Sequence, residues 1–123
     1  MRILFTFLLL VLSQQGMAVF CKSIEPNPEG YGTRITTQRH IDEFQERYGP
    51  CDTVNGELEL MYEDIVDLSP LSDLISIGIS GPPHYNGLEI SGTSVKNLDG
   101  LANLKTLHGP LSISGNDELE NID

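Results

Sequence analysis

Residues 88–123, LEISGTSVKNLDGLANLKTLHGPLSISGNDELENID, say nearly the same thing twice. Leu88-Glu89-Ile90-Ser91-Gly92 returns as Leu111-Ser112-Ile113-Ser114-Gly115, and Val95-Lys96-Asn97-Leu98 returns as Leu119-Glu120-Asn121-Ile122. The step from Leu88 to Leu111 is 23 residues. Upstream, Val54-Asn55-Gly56-Glu57-Leu58-Glu59-Leu60 matches Leu107-His108-Gly109-Pro110-Leu111-Ser112-Ile113, and Ile65-Val66-Asp67-Leu68 supplies a third copy of the second phrase. A further phrase, Leu68-Ser69-Pro70-Leu71-Ser72-Asp73-Leu74, matches Leu98-Asp99-Gly100-Leu101-Ala102-Asn103-Leu104. Leu58 to Leu88 spans 30 residues, and removing about seven restores the period. The surplus falls within ISGPPHYN, residues 79–86, which leaves the register of 78–87 open.

Apolar residues alternating over four or five positions mark a short strand with one buried face. Repeated at a period in the low twenties, they mark a chain whose units bury their edges only by stacking. The expected fold is mainly β, a short parallel β-solenoid of about three turns over 54–123, with a closing C-terminal cap missing. Leu58, Leu60, Leu88, Ile90, Leu111 and Ile113 should point inward as columns. Gly56, Gly87 and Gly109 should open each strand, and Asp67, Asn97 and Asn121 should satisfy turn amides at one corner.

The part before the repeat reads differently. MRILFTFLLLVLSQQGMA, residues 1–18, has one arginine, an apolar run from Ile3 to Leu12 and small residues at Gly16 and Ala18, which predicts a cleaved secretory signal. Residues 22–35 hold two prolines and two glycines and read as irregular connection. Ile41, Phe44 and Tyr48 then recur at helical spacing, with Thr36 or Thr37 to cap the start and Gly49-Pro50 to end it. This predicts a helix over about 37–48 within an N-terminal cap, 19–53, with His40 solvated or facing the cap. The chain has two cysteines, Cys21 and Cys51, an even count that in an exported chain argues for one structural disulfide.

The formal charge is −11, and losing Arg2 with the leader would make it −12. From Asp52 onward thirteen acids face two bases, Lys96 and Lys105, so nucleic acid is a poor partner. Catalytic patterns are lacking. Glu57 and Glu59 alternate onto the outer face of one strand, where open solvent would leave neither as a general acid. Ser91, Ser112 and Ser114 lie in no G-x-S-x-G elbow, and His84 and His108 fall in loops. No phosphate loop, zinc spacing, EF-hand pattern or N-x-[ST] sequon occurs. The expectation is a non-enzymatic protein with no cofactor and no metal.

A Cys, a short helix, then a Cys followed by V-x-G-x-L-x-L and DLSPLSDL resembles the receptor L domain, over roughly residues 21–123. Such domains are the ligand-binding lobes of the epidermal growth factor and insulin receptors. Similar repeats occur in fungal cell-surface and exported bacterial leucine-rich proteins. The resemblance implies that Cys21 and Cys51 pin the capping helix over the first turn, and that the chain is an extracellular recognition scaffold. The chain lacks the family's C-terminal cap, and nothing in it resembles a cysteine-rich module, a transmembrane helix or a kinase.

The expected function is therefore secreted or cell-surface binding of a protein or glycan, with no integral membrane anchor after signal cleavage. The binding face would be the outward positions Glu57, Glu59, Met61, Glu89, Ser91, Ser112 and Ser114, with the insert's His84 and Tyr85 beside them. The rival readings are a structural wall or envelope protein, or an L-domain fragment without independent function. Self-association through the uncapped last turn, at Leu119 and Ile122, is a further expectation.

Overall fold

A computed structural model describes residues 17–22, 32–78 and 86–120. The stretch read as a signal, up to Gly16, the insert with His84 and Tyr85, and Asn121 and Ile122 lie outside the described residues. The described residues hold seven strands: β1 (Thr33–Ile35), β2 (Thr53–Val54), β3 (Leu58–Met61), β4 (Ser76–Ile77), β5 (Leu88–Ser91), β6 (Thr106–Leu107) and β7 (Leu111–Ser114). They form two parallel sheets, one in the order β1-β3-β5-β7 and one in the order β2-β4-β6. The protein is mainly β, and both sheets grow in sequence order.

The repeat sets the register. Leu58 pairs with Leu88 and Leu88 with Leu111, while Leu60 pairs with Ile90 and Ile90 with Ile113. The 30-residue and 23-residue steps thus meet in one ladder, because the surplus residues fall between β4 and β5. Leu58, Leu60, Leu88 and Ile90 are buried, and Val54 and Ile77 of the second sheet close the core with Ile65, Leu68, Leu71, Leu74 and Val95 from the connections. Each such side chain contributes about 1.5–3 kcal/mol by leaving water. At the far end the core opens: Leu98, Leu101, Leu104, Leu107 and Leu119 are only partly buried.

Gly56 opens a strand as expected, but Val54 before it belongs elsewhere: it lies in the three-stranded sheet and Leu58–Met61 in the other. Gly56, at φ 112°, turns the chain between them. Residues 33–35, read as irregular, form the first strand of the larger sheet, with Thr33 and Ile35 buried beside Leu58 and Leu60. The Thr33 N–H donates to the Glu57 carbonyl, which holds this short strand in place.

The predicted helix is two short ones, α1 (Gln38–Asp42) and α2 (Phe44–Tyr48), broken at Glu43. Thr37 caps the first: its Oγ1 accepts from the His40 N–H at 3.3 Å. Ile41, Phe44 and Tyr48 are buried over the start of the core. Gln38 ties α1 to the repeat, accepting from the Val66 and Asp67 N–H groups and donating to the Asp67 carbonyl. Cys21 and Cys51 are joined by a disulfide, and the Gln45 carboxamide bonds both the N–H and the carbonyl of Cys51.

Candidate functional site

Inward leucines force the intervening residues outward, and parallel register lines these up across the larger sheet. Arg34 pairs with Glu59, Glu59 with Glu89 and Glu89 with Ser112, which makes one row of side chains across all four strands. Met61, Ser91 and Ser114 form the next row. Every described residue expected on the binding face is therefore on or beside this face. Ser112 and Ser114 are exposed, whereas Glu57, Met61, Glu89 and Ser91 are half-buried.

The acids do not stand in open solvent, which corrects the expectation for Glu57 and Glu59. Glu59 is only 8% exposed. Its Oε2 accepts from Nε of Arg34 at 2.5 Å, a pair whose arginine side is half exposed. That hydrogen bond, helped by the charge of Glu59, raises the Arg34 pKa further above its ordinary value. Carboxylate oxygens of Glu57, Glu59 and Glu89 lie within 4.8 Å of one another. Burial first, then the charges of Glu59 and Glu89 and a hydrogen bond with Glu59, raise the Glu57 carboxyl above the usual carboxylate range. Like charges side by side on neighbouring strands destabilise a sheet. Arg34 makes its ion pair with Glu59, and its charge acts more weakly on Glu57 and Glu89. Among the described residues, three carboxylates of this face thus share one guanidinium.

Tyr62 follows this face and was not singled out from the sequence. It is 57% exposed and takes φ 85°, while Gly92 and Gly115 hold the corresponding places after β5 and β7, both at φ 65°. A side chain in left-handed backbone costs roughly 1–3 kcal/mol, so an aromatic ring is held up here against a local preference that the other two copies satisfy with glycine. Arg34 also went unnoticed, because only the sheet register brings it to Glu59, 25 positions away.

The polar corner is structural. Asp67 Oδ1 accepts from the Ser69 N–H and Oδ2 from the Ser69 hydroxyl, while Asn97 Oδ1 accepts from the Asp99 N–H. Asn116 joins two levels of the stack, with Oδ1 accepting from the N–H and hydroxyl of Thr93 and Nδ2 donating to the Ile90 carbonyl. A shallow groove beside this corner is lined by Val66, Asp67, Ser94, Lys96, Asn97 and Glu118, but its Asp67 and Asn97 are already committed to turn amides. His108 is exposed near the insert, and among the described residues it lies in no cluster of metal-ligating side chains.

No family model, curated protein or solved structure matches this chain.

Proposed function

We propose that the chain is a secreted or cell-surface, non-enzymatic recognition module of receptor L-domain type. On this reading its two sheets are sides of a short β-solenoid, and it binds a protein or glycan ligand through the outer face of the four-stranded sheet. The observation that carries it is the row Arg34–Glu59–Glu89–Ser112 with Tyr62 beside it. A ladder of polar groups next to an exposed aromatic ring suits recognition by contact. The disulfide supports an oxidising compartment. No helix among the described residues is long and apolar enough to cross a membrane.

The test uses the full-length chain, immobilised, against a printed glycan array and a panel of purified extracellular proteins from the same source. Glu89→Lys reverses the charge at a place in the row that makes no ion pair among the described residues, and Tyr62→Gly removes the ring while suiting the backbone. Each should weaken a bound probe about tenfold or more, or about 1.4 kcal/mol. Unchanged affinity in both variants, with folding intact, would sink the binding face. Glu59→Lys is a poorer probe, since it breaks the partly buried Arg34–Glu59 pair between β1 and β3.

A further inference from the structure

The outer edge of β7 has no partner strand among the described residues, and we infer that it pairs with the β7 edge of a second copy, antiparallel, across a two-fold axis. Several observations converge on this occupant. The Pro110 carbonyl accepts from the Leu88 N–H at 2.9 Å and the Ser114 carbonyl from the Gly92 N–H at 3.0 Å. The even-numbered residues of β7 therefore direct their backbone groups at β5. Strand alternation directs those of Leu111 and Ile113 outward.

An antiparallel pair is most regular where two residues with outward groups face each other and exchange both hydrogen bonds. Centring the axis on Ser112 does this. Leu111 meets the second copy's Ile113, Ile113 meets its Leu111, and Ser112 faces Ser112. The side chains agree with the backbone, since Leu111 and Ile113 share the inner side and Ser112 lies outside. Apolar groups then meet apolar groups and hydroxyl meets hydroxyl. Leu111, 57% exposed, is covered, and the open ends of the two cores, with Leu101, Leu104, Leu107 and Leu119 only partly buried, are brought face to face.

Charge points the same way. Residues 106–116 contain no Asp, Glu, Lys or Arg, whereas the other strands of this sheet carry Arg34, Glu59 and Glu89. A chain of net charge −11 repels its copies almost everywhere, and this uncharged edge is where approach is least opposed. Natural edges are usually blunted by a charge or a bulge, and β7 has neither. The head-to-tail alternative, β7 on β1 of the next copy, fits worse. Thr33 already directs its N–H at β3, so alternation leaves only the backbone groups of Arg34 facing outward from β1. Such a contact would also propagate into an open filament.

The inference is independent of the ligand-binding reading, because sedimentation velocity on the purified full-length chain reads it without ligand. The wild-type chain should form a closed dimer at micromolar concentration. Ser112→Glu places two carboxylates about 4.5 Å apart in backbone terms on the axis, and should weaken the dimer about tenfold or more. Ser112→Lys should do the same alone, and mixing the two variants should restore dimers as heterodimers. Ser112 is exposed, so both variants keep the fold, which circular dichroism checks. A wild-type chain that stays monomeric, species that grow past the dimer with concentration, or Glu and Lys variants that dimerise like the wild type would each overturn it.

Discussion

Glu57 and Tyr62 flank the ends of β3, and each carries a cost that its neighbours explain. The Glu57 carboxyl is raised above its ordinary 4.5 because burial and two nearby carboxylates disfavour its charge. Its contribution to stability is then fully present below about pH 4.5 and is lost as pH rises through the folded value. Glu57→Gln should therefore unfold at higher denaturant than the wild type at pH 7, with the gap closing as pH falls below the unfolded value. Equal stability at both pH values would contradict the described cluster. Glu43 behaves oppositely: Arg47 and Arg39 hold it below its ordinary value, so its contribution is present above about pH 4.5 and lost as pH falls. At Tyr62 the glycine variant should gain about 1 kcal/mol of stability, since left-handed strain is relieved and little buried ring is lost. Weaker binding by a more stable protein would separate recognition from folding.

At the scale of elements, two 3-10 helices among the described residues, Ser69–Leu71 and Asp99–Leu101, show how closely successive connections pack. Gly100 packs directly against the Leu68 carbonyl, and a Cβ there would collide with backbone atoms of Leu68 and Ser69. Gly100→Ala should destabilise the chain by about 2 kcal/mol or more, read as a lower denaturant midpoint, because backbone on both sides must shift. An unchanged midpoint would mean that the stacking is looser than described. The leucine columns, the corner Asp67 and Asn97 and the place of the insert were all legible in the sequence, because a period of 23 repeats them. The turn at Gly56 was legible as the glycine that opens a strand, but the place of Val54 in a second sheet was not, since Val54-x-x-x-Leu58 keeps the alternation of a single strand. β1 was hidden by its length and by the prolines and glycines before it. Nothing local marks Arg34 as a partner of Glu59. Tyr62 did leave a signal: aligned on Met61, Ser91 and Ser114, it stands where the other copies have glycine.

Taken whole, the molecule has unlike ends. One is closed by α1, α2 and the Cys21–Cys51 bridge, and the other shows half-buried leucines and an edge of β7 that pairs with no strand among the described residues. The bridge spans 30 positions. Replacing both cysteines by alanine should cost about 3–4 kcal/mol on the chain-entropy account, measured by denaturant unfolding. A loss well under 1 kcal/mol would mean that the cap holds without it. At the closed end, Gln38 offers its carboxamide as both acceptor and donor to residues 66 and 67. A side-chain amide there impersonates the peptide unit that a preceding level would have supplied. Lengthening by gene duplication is consequently polar: an extra copy of residues 92–114 set in after Ser114 would find waiting ladder groups on Leu111 and Ile113. A copy added before β3 would part Gln38 from its partners, so new length can accrue without repair only away from the cap.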